Sequence, residues 1–317
     1  MNCDTYRSNR YIVRAFRDQI MASIRGLLKP CYLYSPRTAF RRVFMELFPP
    51  KTGVAVVSLP WKVSLEVDLS DAIGKEIFKQ RSFDIAVSEV AWRLLQPGAK
   101  ALDIGANIGY LTSLFAVGAG PSGAVHTFEP HPHVQETLIR NIARIRLHPE
   151  SAPISMHICA LGDISGQARL IETDYFEINR GTARIAEARS EGELRSYSVP
   201  IETLDNVFPN ESFDLAKIDV EGFEPRVLQG AKRLLREKRI RHIIYEDHDI
   251  KSEKLATMFT TEGYSIFSIV YDLLGPNLRE LDREIALDRS WESPSFLATV
   301  EPAAVKKIMS PRGWQAL

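Results

Sequence analysis

Cysteine is scarce in this 317-residue chain: Cys3, Cys31 and Cys159 are all there is. An odd number at wide spacing, without paired Cys/His clusters, excludes a disulfide framework and a zinc site of the usual spacing. A reducing, cytoplasmic setting is the expectation. Long apolar runs are missing as well. No stretch of 18 apolar residues occurs, so no transmembrane helix is expected. Arg7, Arg10, Arg14 and Arg17 break every early apolar run, which leaves no signal-peptide core. Net charge is also lacking, because 40 Lys+Arg balance 40 Asp+Glu. A chain that relied on phosphate attraction would be basic, so nucleic acid is not an expected partner.

What is present is an ordinary globular composition, 45% hydrophobic and 25% charged, which rules out a mainly disordered chain. The charge is unevenly spread. Residues 1–62 hold 11 Lys/Arg against 3 Asp/Glu, leaving 29 against 37 for residues 63–317. A basic extension thus precedes an acidic body. Within it, Ile12, Phe16, Ile20, Ile24 and Leu28 recur at steps of four and predict an amphipathic helix over 11–28. Docking on the acidic body is favoured for this extension over peripheral contact with an anionic membrane.

From residue 99 onward, short β-rich runs alternate with helical spacing. Strands are expected at 101–105, 124–129 and 154–160, with helices at 110–117 and 134–145 between them. The alternation breaks over 165–201, where two strand-like runs flank a polar stretch, and a hairpin or lid is expected. It resumes with a strand at 213–220, a helix near 225–236 and strands at 241–245, 264–270 and 295–300. Strands alternating with helices imply an α/β fold with a mostly parallel sheet wrapped on both faces. The expected division is a helical extension (1–62), a cofactor-binding domain (63–275) with the insertion, and a C-terminal strand and tail (276–317) completing the sheet.

The first strand runs into Asp103-Ile-Gly-Ala-Asn-Ile-Gly109. Glycine there lets the chain turn sharply and lets a ligand approach the backbone. Glu129 ends the second strand, where an acid accepts hydrogen bonds from a ribose. The spacing departs from a G-x-G-x-x-G dinucleotide fingerprint, and Asp103 would repel a pyrophosphate. A cationic ribose ligand without phosphate, S-adenosyl-L-methionine, suits this set. The rivals are a nicotinamide-dependent oxidoreductase and a non-catalytic module that retains the pocket.

Further along, Lys217, Asp219 and Glu221 alternate, which puts them on one face of a strand. Charges on a central parallel strand are expensive unless paired or used. A structural Lys217–Asp219 ion pair is the rival reading for Lys217; for Asp219 a catalytic role is preferred, because the strand's C-terminal end is where the ligand crevice lies. Glu221 is expected near the next helix start, where the helix dipole favours an acid. Glu246 and His248 follow an apolar strand and are expected beside Asp219, while Asp247 and Asp249 read as a solvated acidic turn. Any of Asp219, Glu246 and His248 could take a hydroxyl proton. A divalent metal on the same set is the minority reading.

The runs Asp103-Ile-Gly-Ala-Asn-Ile-Gly109, Phe128-Glu-Pro130, Ala160-Leu-Gly162, Thr203-Leu-Asp205 and Lys217-Ile-Asp-Val-Glu-Gly222, followed by Glu224 and Val227-Leu-Gln-Gly-Ala231, resemble the FkbM-type methyltransferase family. The resemblance spans roughly residues 66–250. It implies a class I, Rossmann-like methyltransferase with a seven-stranded, mostly parallel sheet whose last strand is antiparallel. It also implies S-adenosylmethionine as cofactor and O-methylation of a sugar or other natural-product hydroxyl. Carried over, Asp103, Gly105, Ala106, Asn107 and Gly109 would line the methionine side. Glu129, with Pro130, would hold the ribose; Ala160 and Leu161 would sit by the adenine. Family members often carry an aromatic-Glu pair before the first motif, and here it is Phe83-Asp84. Asn179-Arg180-Gly181, in the insertion, resembles a recurring family feature that could grip a polar acceptor.

Overall fold

The computed structural model describes residues 45, 52–185, 195–247, 253–272, 274–281 and 294–316. The expected helix over 11–28 lies outside them, as do His248 and Asp249. The described fold opens with an antiparallel hairpin, β1 (Val54–Ser58) and β2 (Ser64–Asp68), then α1 (Ala72–Gln80) and α2 (Ile85–Leu94). Alternation follows: β3 (Lys100–Ile104), α3 (Tyr110–Ala119), β4 (Ala124–Phe128), α4 (Pro132–Ile145) and β5 (Ile154–His157). The interruption holds β6 (Ala160–Leu161), β7 (Gly166–Ile171), a 3₁₀ turn (Arg180–Thr182), β8 (Arg184–Ile185) and β9 (Ser196–Glu202). Next come α5 (Leu204–Val207), β10 (Phe213–Ile218), α6 (Glu224–Gln229), α7 (Lys232–Arg236), β11 (Ile240–Glu246) and α8 (Lys254–Thr261). The chain finishes with β12 (Ser265–Asp272), β13 (Gly275–Glu280), β14 (Ser295–Thr299) and α9 (Pro302–Met309).

The main sheet has the order β13-β12-β14-β11-β10-β3-β4-β5. β3, β4, β5, β10 and β11 run parallel, and β14 is antiparallel to both its neighbours, β11 and β12. This is the α/β, Rossmann-like architecture the alternation implied, but with eight strands instead of seven. The addition is β13, which folds back on β12 across a turn where Asp272 accepts the Leu274 amide at 2.7 Å. The late strand does not extend an edge; β14 fills the gap between β11 and β12.

Two other expectations change. The run 154–160 is not one strand: it divides into β5 in the main sheet and β6, which pairs with β9 in a separate sheet of order β6-β9-β7-β8. The helix near 225–236 breaks at Gly230, where a Cβ would lie 1.9 Å from the Gly162 carbonyl oxygen, so the bare backbone is required for the two segments to meet.

Both faces of the sheet are buried, which explains the near-continuous apolar runs of its central strands. Ala101, Leu215, Ile244 and Leu297 face one core, shared with α2, α3 and α4. Leu102, Ile104, Ala216, Ile218 and Ile243 face the other, with α6, α7 and α8. In α4, Val134, Leu138, Ile142 and Ile145 are buried, the stripe expected of a helix packed by one side. Among the described residues no helix is long and apolar enough to cross a membrane.

Candidate active site

β3 lies between β4 and β10, so its neighbours connect in opposite directions, and ligands of such sheets sit outside the carboxyl ends of the strands there. A cavity of about 640 Å³ occupies that place. Its wall includes nearly every residue singled out from the sequence: Asp103, Gly105, Ala106, Asn107, Glu129, Pro130, Ala160, Leu161, Lys217, Asp219, Glu221 and Glu246.

The first turn is built by close packing. Gly105 has φ +83°, and both its amide and that of Ala106 donate to the Phe128 carbonyl at 3.0 Å. Asn107 also adopts the left-handed region, with φ +50°. Its amide donates to Glu129 Oε2 at 2.9 Å, while its own Oδ1 is buried without a hydrogen-bond partner. Gly109 does not line the cavity. It caps α3 with φ +88°, and a Cβ there would lie 2.8 Å from Leu138 Cδ1. The left-handed backbone at this cap is what favours glycine.

Asp103 is buried and accepts the Thr112 hydroxyl at 2.5 Å. Burial pushes its pKa up to about 6. Glu129 accepts two amides, from Asn107 and from His131, each at 2.9 Å. Those bonds fix the carboxylate without balancing its charge, and burial pushes its pKa up to about 7. Ala160 and Leu161, both buried, form the apolar stretch beyond it.

Across the cavity, Lys217 leaves the β10 face beside Asp103 on β3 and donates to Asp219. The ion pair considered from sequence is present. Burial opposes the Lys217 charge, yet the surrounding carboxylates, Asp219 foremost, hold its pKa above the normal lysine value. Ile218 pairs with Tyr245, and the next residues, Asp219 just past β10 and Glu246 at the end of β11, both line the cavity. Glu246 is pushed up to about 8, by burial first and the Asp219 charge second.

Glu221 lies just past β10 and just before α6, near the helix start as expected. It sits in a left-handed turn (φ +54°) with its pKa pushed up to about 7 by burial. The acid in the first turn of α6 is Glu224, which accepts the amides of Val220 and Gly222. Asp247 is 9% exposed, so it is no solvated turn residue; its amide donates to the Pro294 carbonyl.

The insertion also reaches the cavity. The Asn179 side chain accepts the Gly181 amide at 3.0 Å and shapes its own turn. The Arg180 amide donates to Asp71 at 2.8 Å, and its guanidinium pairs with Asp68 at 2.8 Å. Asp84, Ser82, Ser268 and His131 also line the wall. Asp84 caps α2 from a left-handed conformation, φ +40°. Ser82 and Ser268 have buried hydroxyls without partners. His131 is buried at 1% exposure. Of these, only Asp84 has a sequence signal, the Phe83-Asp84 pair.

The wall residues fit S-adenosylmethionine. The unpartnered Asn107 oxygen and several carboxylates with raised pKa values await a hydrogen-bonding, cationic ligand. The same carboxylates oppose a pyrophosphate.

The sequence profile of the methyltransferase FkbM domain matches residues 103–281. Curated proteins gave no match. Among solved structures, the methyltransferase FkbM of Methylobacillus flagellatus KT is 14% identical with a TM-score of 0.40. The alignment covers 71% of this chain and 52% of that one, so the chain spans about half the length of that protein. The O-methyltransferase TomG of Streptomyces achromogenes, solved with S-adenosylmethionine, is 11% identical at a TM-score of 0.41, over 82% of this chain and 95% of that one. A Thermotoga maritima S-adenosylmethionine-dependent O-methyltransferase is 12% identical, with 80% of each chain covered and a TM-score of 0.38.

Proposed function

The chain belongs to the FkbM methyltransferase family, whose cofactor is S-adenosylmethionine, and from that premise we propose that it methylates a hydroxyl of a sugar or other natural-product small molecule. S-adenosylmethionine supplies an electrophilic methyl carbon on a sulfonium. Glu129 would hold the ribose hydroxyls, and Ala160 and Leu161 would flank the adenine, with Asp103, Gly105, Ala106 and Asn107 on the methionine side.

A hydroxyl is a poor nucleophile until its proton is taken. Glu246 is the residue we assign to take it. The observation that carries this is its position at the end of β11, on the cavity that Asp219 and Glu129 also line. Asp219 is already engaged by the Lys217 ammonium, which makes it a positioning group for the acid–base pair. A carboxylate whose pKa lies near the working pH suits proton transfer, and Glu246 meets that condition. As the acceptor oxygen takes the methyl carbon, the sulfonium S–C bond would break, S-adenosylhomocysteine would be left behind, and the hydroxyl proton would pass to the Glu246 carboxylate. Alignment of the acceptor oxygen supplies the rest of the catalysis and is worth several kcal/mol.

The test has two stages. Titration calorimetry with S-adenosylmethionine and its demethylated product should show binding; no heat at high micromolar ligand would remove the cofactor assignment. Cell extracts incubated with enzyme and methyl-labelled cofactor should then yield a labelled O-methyl product by mass spectrometry. A labelled amine or thiol instead would redirect the reading.

A further inference from the structure

Gln80, in the last turn of α1, lines the cavity and is buried at 5% exposure. With Ile73 and Glu76 it forms the stripe that α1 turns to the cavity, the spacing of one helix face. An apolar residue is the ordinary choice at a buried position of such a stripe. A carboxamide there is costly unless it is hydrogen-bonded. Among the described residues the Gln80 side chain has no hydrogen-bond partner, yet its polar atoms are not sealed off from solvent. Their opening is the cavity that the residue lines.

The position along α1 says which end of the cavity Gln80 serves. The helix starts beside the cofactor turn: a Cβ on Gly181 would lie 3.2 Å from Ile73 Cδ1 and 3.4 Å from Asn107 Nδ2. Gln80 comes about two helical turns later, roughly 10 Å along the axis. The chain then runs into Ser82, Phe83 and Asp84, all on the cavity wall. Asp84 is near enough to the far end for its charge to act on both Lys217 and Glu246. Gln80 thus belongs with Glu246, where the methyl acceptor is assigned, and not with Asn107. A carboxamide is uncharged and both donates and accepts, which matches a hydroxyl. Asp84, Asp219 and Glu246 on the same wall oppose an anionic group.

We propose that Gln80 is an acceptor-binding residue: its carboxamide hydrogen-bonds a second hydroxyl of the acceptor, beside the one that is methylated, so the acceptor is an uncharged polyol such as a saccharide. This rests on the methyltransferase reading and narrows its acceptor class.

The test uses the full chain, S-adenosylhomocysteine and the acceptor identified from the labelled extract. Gln80→Leu keeps the side-chain size and removes the amide. That amide has no partner within the described fold, so the urea midpoint should not fall. Affinity for S-adenosylhomocysteine in calorimetry should stay at the wild-type value. For the acceptor, kcat/KM should fall about tenfold or more, the scale of one hydrogen bond. Acceptor analogues that each lack one further hydroxyl should include one that costs the wild-type enzyme as much and the variant nothing more. Wild-type kcat/KM in Gln80→Leu would overturn the proposal, as would a labelled product without a second hydroxyl. An equal loss of S-adenosylhomocysteine affinity would make Gln80 a cofactor ligand and overturn it too. If Gln80→Leu does not fold, Gln80→Met, unbranched and of similar length, is judged by the same outcomes. Failure of both to fold would assign Gln80 to the fold and overturn the proposal. A wild-type chain that neither binds S-adenosylhomocysteine nor labels any product would instead sink the methyltransferase reading itself.

Discussion

A Cβ on Gly105 would fall 1.8 Å from the carbonyl oxygen of Asp219. The cofactor turn and the chemical strand end are therefore in backbone contact, reinforced by the Asp219 amide donating to the Ile104 carbonyl at 3.0 Å. Gly105→Ala must displace one of the two segments and also strain a residue at φ +83°. The expected cost is about 3 kcal/mol or more, with cofactor binding lost at the same time. Urea unfolding and calorimetry check the two effects, and an alanine variant of wild-type stability would contradict the packing.

The tail is fastened to α2 by a buried ion pair. Glu89 accepts from Arg93 Nε at 2.7 Å and from the amides of Gln315 and Ala316. Arg93 in turn donates to the Pro311 and Gly313 carbonyls. Removing one member leaves the other charge buried and uncompensated, at about 3–5 kcal/mol. Glu89→Leu should lower the unfolding free energy by that amount and speed amide exchange at 315–316. Unchanged exchange there would show that the tail is held by other contacts.

Much of this arrangement is legible in the amino-acid sequence. The alternation of β-rich runs with helical spacing carries the sheet, and the 103–109 turn with Glu129 carries the crevice, because both are local patterns tied to backbone geometry. Gln80 is not legible in this way, since a polar residue in a helical run becomes informative only when the fold leaves it buried on the cavity wall. Asp247 misleads for a related reason: an acidic run looks solvated until tertiary packing buries one member of it. Gly109 has the right motif spacing, but the constraint behind it is a φ of +88° at the cap of α3, which spacing alone does not reveal. β13 escapes the pattern because its run, Gly275–Glu280, is short and partly polar, and only pairing with β12 makes it a strand.

Glu246 makes stability and turnover respond to pH in opposite directions. Its folded pKa of about 8 lies above the ordinary value of 4.5. Folding thus favours the protonated form, and stability is highest below the unfolded pKa. It declines as pH rises from about 4.5 to 8 and levels off beyond. Glu246→Gln should remove this group's share, on the order of 2–4 kcal/mol across that window, read from urea midpoints on either side of it. Turnover should do the reverse in the wild-type enzyme, rising as the base ionises toward a pH of about 8. In the Gln variant turnover should drop by roughly a hundredfold or more. Equal turnover in the two proteins would take Glu246 out of the mechanism.

The Lys217–Asp219 pair sets up the final test, because its two members are unequally buried. The Lys217 side chain is 5% exposed and that of Asp219 is 28% exposed. Asp219→Asn leaves a buried ammonium with weaker compensation, so it should destabilise the protein as well as slow it. Breaking one side of a buried pair costs about 3–5 kcal/mol, and the partial exposure of Asp219 places the expected loss at the lower end. Replacing both members, as Lys217→Met with Asp219→Asn, removes the stranded charge and should recover most of the stability. If the pair only supports the fold, the double variant should also recover turnover. If Asp219 positions the acceptor or Glu246, stability should return while turnover stays low, and cofactor affinity should be close to wild type because Asp103 and Glu129 are untouched. A double variant that regains both stability and turnover would leave the pair a purely structural role.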